Sequence, residues 1–220
     1  MNIIEEQYNW AKELGTRYET NYIVLHHEAG YGTAQGIHRQ HLGQGWSGIG
    51  YHIYVRIDGS IYRGRPIWAI GSHAYGFNYN SVGICAEGYY HPRTDGGRVD
   101  KVMPLLQKNS LIEVGRYVLN EYPNAKIVRH RDLMATACPG QYYPYDEIVN
   151  SIINYKNIEE LLNMFNDFNN ISEWAKDSVK KLEDLGILKG DENNNFNPKN
   201  GINREEVAVV LNRLLQLFGK

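Results

Sequence analysis

The sequence predicts an α/β fold: a mixed central β-sheet covered by helices, with a small all-α module at the C-terminal end. Three observations carry that expectation. Short runs of β-formers interleave with stretches whose apolar residues recur every three or four positions, as strands and helices do around one core. Tyr51, Ile53, Val55 and Ile57 alternate with His52, Tyr54 and Arg56 and run into Asp58-Gly59, a hairpin signal. After about Tyr155 a composition rich in Gly and Tyr gives way to Asn, Lys, Glu and Leu, which marks a second unit.

In chain order, Ile4, Tyr8, Ala11 and Leu14 recur at helical spacing and stop at Gly15, which predicts an N-terminal amphipathic helix. Tyr22 to His26 reads as a short buried strand, and Ala34 to Leu42 as a helix capped by Thr33. The hairpin returns over Ser60 to Arg63. Val82 to Glu87 is a further strand, with Val82, Ile84 and Ala86 on one face and Gly83, Cys85 and Glu87 on the other. Met103 to Tyr122 reads as a long helix and Ile127 to His130 as the last strand. Beyond it, Ala175, Val179, Leu182 and Leu185 make one helical stripe, and Val207, Val210, Leu211, Leu214 and Phe218 make another, on either side of the polar loop Gly190 to Gly201. This second unit is small for a core of its own. The expected division is a domain over 1–154, a linker over 155–164 and a module over 165–220.

At 220 residues the chain has room for one medium domain and one small one. A net charge of −2 with both signs scattered excludes the basic footprint of a nucleic-acid binder. No apolar run approaches the roughly 20 residues that cross a bilayer, so no membrane partner is expected. Met1 to Gly15 has no basic start, long apolar core or small-residue cleavage site, so a chain made and folded in the cytosol is expected. In that reducing compartment Cys85 and Cys138 read as thiols with separate roles rather than as a disulfide.

Metal chemistry has three candidate donors. His26 closes the first buried strand, His130 closes the last, and Cys138 follows in a loop ahead of Pro139-Gly140. Zinc takes Cys and His, and a catalytic site keeps one position open for water. Two histidines side by side at a sheet edge, with a loop long enough to return a thiolate, meet that need. Spacing alone does not assign it, because a strand-end histidine is commonly just a hydrogen-bonded residue.

Four segments add what spacing lacks: Tyr22 to Glu28 (YIVLHHE), Gly50 to Gly64 (GYHIYVRIDGSIYRG), Gly71 to Gly88 (GSHAYGFNYNSVGICAEG) and Val128 to Gly140 (VRHRDLMATACPG). In that order they resemble the motifs of the N-acetylmuramoyl-L-alanine amidase family, which includes phage lysozyme-type amidases and peptidoglycan recognition proteins. The resemblance implies that His26, His130 and Cys138 hold one Zn2+ per chain at the sheet edge. His27, on the opposite face of a strand, is then a core or supporting histidine. The implied reaction is hydrolysis of the amide between N-acetylmuramic acid and the L-alanine of peptidoglycan. The metal would lower the pKa of water toward about 7 and polarise the carbonyl.

Two residues compete for the proton. Tyr51 matches a tyrosine that is catalytic in the lysozyme-type branch, and Glu87 matches a glutamate used in another. Glu87 is preferred as the base, on condition that its carboxylate reaches the attacking water, since a carboxylate needs only a modest upward shift for that task. Tyr51, with an ordinary pKa of about 10, then donates a hydrogen bond. Thr136 stands where relatives carry lysine or threonine to stabilise the oxyanion. His73, Asn78 and Asn80 lie in the segment that lines the substrate groove in the family. Arg63 and Arg65 read as solvated, Cys85 as a buried thiol, and His38, His41, His52 and His91 have no spacing that ties them to the metal. A phage-type endolysin, leaving the cytosol to act on the cell wall, is the expected setting. The alternative is a non-catalytic peptidoglycan-binding protein; relatives of that kind have usually lost the cysteine, and Cys138 argues against it.

In the second unit, Phe165-Asn166-Asp167-Phe168, Trp174-Ala175, Leu185 to Gly190, Phe196-Asn197-Pro198 and Ile202 to Glu206 resemble a single S-layer homology (SLH) motif. Asn203 stands where the family usually writes threonine and Glu205 where it writes alanine. Asparagine caps a helix as well as threonine, and Glu206 completes a capping box. The resemblance implies attachment to secondary cell-wall polysaccharide, with Trp174 and Arg204 as expected contacts. Such motifs usually pack as three copies; a single one leaves apolar faces uncovered, so the expectation is either that three chains pool their modules into a homotrimer or that the module folds back on the catalytic domain.

Overall fold

β-Branched and aromatic residues make up at least half of five of the six short segments that pair into one mixed sheet. These are β1 (Ile3–Ile4), β2 (Tyr22–His27), β3 (Ile53–Val55), β4 (Ile61–Arg63), β5 (Ser81–Ala86) and β6 (Lys126–Arg129) in a computed structural model. Among the described residues six α-helices accompany them: α1 (Ala34–Gly43), α2 (Leu105–Glu121), α3 (His130–Leu133), α4 (Tyr145–Leu162), α5 (Glu173–Asp184) and α6 (Arg204–Phe218). The structure describes residues 1–162 and 165–218, without the side chains of 155–162, 184, 217 and 218. The expected part of Phe218 in the last stripe, and positions 163–164 of the expected linker, lie outside this description. The chain divides into two compact units, Met1–Ile153 and Asn154–Lys220.

In the first unit the strand order is β1-β4-β3-β5-β2-β6. Only β3 and β4 run antiparallel, joined by the expected hairpin. Gly59 takes φ +86° in its turn, a conformation that glycine adopts without strain. All other neighbours are parallel, with Leu25 opposite Ile84 and His26 opposite Cys85. Alternation then sorts the strands by face. Ile23, Leu25, Ile53, Val55, Val82, Ile84 and Ala86 pack with Leu111, Val114 and Val118 of α2 and Ile148 and Ile152 of α4. On the other side Tyr54 and Cys85 pack with Ala34 and Ile37 of α1. Thr33 caps α1 as expected, its Oγ1 accepting from Gly36 N at 3.0 Å.

The N-terminal helix expected from Ile4, Tyr8, Ala11 and Leu14 does not form. Ile3 and Ile4 instead add β1 along the open edge of β4, opposite Ile61 and Tyr62. The following residues run as an irregular strap, and their polar groups find separate partners. Tyr8 Oη donates to Arg63 O at 2.8 Å, and Ala11 N to Ser47 O at 3.1 Å. The rings of Tyr8 and Trp10 lie 4.8 and 5.2 Å from that of His38. Long-range pairing of two β-branched residues outweighs the local helical period. His130 also differs slightly from expectation. The strand stops at Arg129, and His130 opens the one-turn helix α3.

In the second unit the described elements are a 3-10 turn (Phe168–Asn170), α5 and α6, besides the end of α4. Phe165, Phe168, Ile171 and Val179 form a small core with Ala175, Leu188 and Phe196. Asp167 accepts from the backbone N–H groups of Phe196 and Asn197, both at 2.7 Å, which ties the polar loop to that core. The Asn203/Glu206 capping box is present, with both bonds at 2.9 Å. Val207, Val209, Leu211 and Leu215 of α6 are exposed. No described helix is long and apolar enough to cross a membrane.

Candidate metal centre

Three side chains that are far apart in sequence converge where β2 and β6 end. His26 Nδ1 lies 3.7 Å from Cys138 Sγ, and the rings of His26 and His130 are 4.4 Å apart. One donor atom from each of His26, His130 and Cys138 lies within 4.8 Å of the others. The parallel pairing of β2 with β6 brings the two histidines side by side, and the chain after α3 folds back so that Arg131 N bonds Cys138 O at 2.9 Å. Cys138 Sγ also accepts from His27 N at 3.4 Å.

Electrostatics suit a cation here. Burial, then His73 and His130, hold His26 well below the usual histidine range, and burial lowers His130 too, so both offer neutral lone pairs. Burial pushes the Cys138 thiol up to about 12, against the pull of the His27 N–H. A divalent ion would offset that cost by favouring the thiolate. His27 turns to the other face of β2, where its Nδ1 accepts from Tyr90 N at 3.1 Å.

The remaining expected site residues separate into those beside the donors and those that are not. Tyr51 is beside them, its ring 5.2 Å from His26 and 5.9 Å from His41. Burial, and then the thiols of Cys85 and Cys138, keep its phenol well above the usual tyrosine range. Glu87 is buried on the same face but turned aside. Its Oε2 accepts from Arg56 Nε and Ile57 N, both at 3.0 Å, and its Oε1 from Arg56 Nη2 at 3.2 Å. Both carboxylate oxygens of Glu87 are therefore engaged by the Arg56 guanidinium, and Oε2 also by the Ile57 N–H. Thr136 is exposed, and its Oγ1 accepts from Cys138 N at 3.3 Å.

Of the residues expected to line the groove, His73 and Asn80 are buried and Asn78 is half-buried. His73 is buried under His26, with His73 Nδ1 3.0 Å from His26 Nε2. Asn78 Oδ1 accepts from His73 N and Ala74 N at 2.7 and 2.9 Å, closing its own loop. Asn80 is buried as well. Asn78 thus serves the backbone of its own tight loop. Arg65, read as solvated, is likewise buried and donates to Ile49 O and Ile70 O at 2.7 and 2.6 Å. Of the unassigned histidines, His38, His41 and His52 each accept a backbone N–H at Nδ1, from Ile49, Gly50 and Gly83. His38 and His41 tie the 49–50 loop to α1, and His52 ties the approach to β3 to β5. Local sequence carried no signal for those pairings.

Comparison with known proteins agrees with this geometry. Residues 16–141 match the N-acetylmuramoyl-L-alanine amidase family, and residues 165–208 match the S-layer homology domain. The structure of the N-acetylmuramoyl-L-alanine amidase LysC from Clostridium intestinale URNW superposes with a TM-score of 0.62 at 42% identity, over 67% of this chain and 95% of that one. The endolysin of Escherichia phage T7 is 34% identical over 119 residues, 52% of this chain and 77% of its own length. The surface-layer 125 kDa protein of Lysinibacillus sphaericus is 48% identical over 52 residues, 24% of this chain and 4% of that protein. A match that runs from ahead of β2 to beyond Cys138 takes in every described residue of the donor cluster: the chain belongs to the N-acetylmuramoyl-L-alanine amidase family and is an enzyme of that class.

Proposed function

We propose that the protein is a zinc-dependent N-acetylmuramoyl-L-alanine amidase of the endolysin type, cutting the lactyl-amide bond between N-acetylmuramic acid and L-alanine. The observation that carries the zinc reading is the convergence of His26, His130 and Cys138. Tetrahedral zinc with nitrogen and sulfur ligands needs donor atoms about 3.3–3.6 Å apart. The 3.7 Å between His26 Nδ1 and Cys138 Sγ fits that requirement. Zinc, when bound there, supplies Lewis acidity that polarises a carbonyl and brings the pKa of water toward about 7.

The chain's own residues supply direction. Tyr51 stays a neutral phenol, so it serves as a hydrogen-bond donor at the reacting carbonyl. Thr136, with its oxygen already accepting from Cys138 N, keeps its hydroxyl hydrogen for the developing oxyanion. Glu87 acts through Arg56 and the Ile57 N–H, holding the end of β3 in place, and this revises the preference for it as base.

The division into a catalytic domain over 1–154 and a wall-binding module over 165–220 completes the proposal. A groove of 590 Å³ in the second unit, lined by Asp191, Asn195, Asn203, Glu205 and Arg213 among others, supports binding of a hydroxyl-rich polymer. Trp174 and Arg204 do not line it, although Trp174 is 86% exposed. The likeness to an endolysin and to a surface-layer protein supports action at the cell wall after release.

The test is product analysis on purified walls. New N-terminal alanine without new reducing ends, abolished by a chelator and restored by zinc, is expected. Lysis that survives complete removal of metal would sink the zinc reading, and new reducing ends would sink the bond assignment.

A further inference from the structure

We infer that His73 is a positioning residue for His26, which it holds in the one tautomer whose Nδ1 can bind metal. The inference rests on the proposed metal site and adds a residue whose side chain does not face substrate.

The argument starts from a carbonyl. Phe77 O can only accept, and Ser81 Oγ lies 2.7 Å from it, so the Ser81 hydroxyl donates there. The serine oxygen then has lone pairs to offer His73 Nε2 at 3.4 Å. With its hydrogen on Nε2, a neutral His73 has a bare Nδ1, and this lies 3.0 Å from His26 Nε2. His26 therefore carries its hydrogen on Nε2 and keeps a lone pair on Nδ1, the nitrogen that faces Cys138 Sγ. Each hydrogen bond fixes the direction of the next, from a backbone oxygen to a ligand atom. A ligating histidine usually gives its second N–H to a carboxylate, carbonyl or water. An imidazole in that role adds no negative charge beside a site that already holds one thiolate.

The ring has a cleared seat. A Cβ at Gly83 would lie 2.6 Å from His73 Cγ, and one at Gly71 would lie 2.5 Å from His73 Cδ2. Two bare glycines thus flank the imidazole, leaving it no room to swing away. His73 is 8% exposed, and its backbone N–H is held by Asn78.

The test uses the full chain. Zinc affinity is measured by chelator competition for wild type, His73→Leu and His73→Asn. The leucine fills the seat without an acceptor, whereas asparagine places an oxygen near the position of Nδ1. His73→Leu is expected to bind zinc about 10- to 100-fold more weakly, with His73→Asn recovering most of the loss. Independently, 15N NMR of the metal-free wild type should show the His26 hydrogen on Nε2. Equal affinity in His73→Leu, or a hydrogen on His26 Nδ1, overturns the inference. If His73→Leu fails to fold, the NMR measurement on wild type still decides. A wild type that takes up no zinc overturns the metal site itself, while the NMR result continues to report on the His26–His73–Ser81 chain.

Discussion

The two faces of the central sheet follow opposite rules although they come from the same strands. Toward α2 and α4, Ile23, Leu25, Val82 and Ile84 are fully buried among other apolar side chains, and none needs an individual partner. Toward α1 and the loops, alternate residues are His26, Tyr54, Cys85 and Glu87, all buried, and the polar ones among them each have a named partner. Apolar burial is non-directional and tolerant of small shifts, so the first face can supply stability in bulk. Polar burial costs free energy unless each group is matched, so the second face is assembled one hydrogen bond at a time. One face resists unfolding, and the other holds donor atoms in a fixed geometry.

Substitutions on opposite faces should therefore fail in different ways. The largest effect is expected for Cys138→Ser: loss of one donor should lower lytic turnover by about 10³-fold or more and abolish tight zinc uptake, with little change in Tm measured on metal-free protein. Lysis at wild-type rate would remove the donor cluster from the reaction. Next, Tyr51→Phe should cost about 10²-fold in kcat at equal zinc content, against less than about tenfold for Glu87→Gln. The reverse order would restore Glu87 as base and mean that its bond to Arg56 opens during turnover.

On the apolar face, Leu111→Ala should destabilise by about 2–5 kcal/mol and lower Tm by roughly 4–20 °C, leaving kcat at 25 °C unchanged. A lost kcat without lost stability would blur the division of labour. The smallest effect separates the faces by pH. Burial, then the charge of Arg17, lowers His52 to about 3, and burial, then Arg65, lowers His41 to about 4. Their folded pKa values lie below that of an unfolded histidine, about 6.5, so below that pH the unfolded chain takes up protons that the folded one refuses. Stability is full above about 6.5 and falls as the pH drops toward 4. Thermal melts from pH 7.5 to 4.5 should show a decline of several degrees that is shallower in His52→Gln; a flat profile would mean that these rings are not held neutral.

Much of this was legible in the sequence because it is written locally. The alternation through Val82 to Ala86, the Asp58-Gly59 turn, the Thr33 cap and the Asn203/Glu206 box depend on residues two to four positions apart. His26, His130 and Cys138 were legible only through ordered motifs that resemble a family, since no local rule joins residues so far apart. The N-terminal stripe misled because its period was real but its residues are used singly, at a strand edge and against His38.

By itself, then, the sequence determined which residue types stand where along each strand, and hence the layered α/β architecture and the list of possible donors. Only the tertiary structure decided which polar groups meet. It gave Glu87 to Arg56, seated His73 beneath His26 and buried Arg65 against two carbonyls. The physical reason is range: backbone geometry and apolar periodicity act over a few residues, whereas a buried polar group takes whichever complementary group the packed fold brings within about 3 Å.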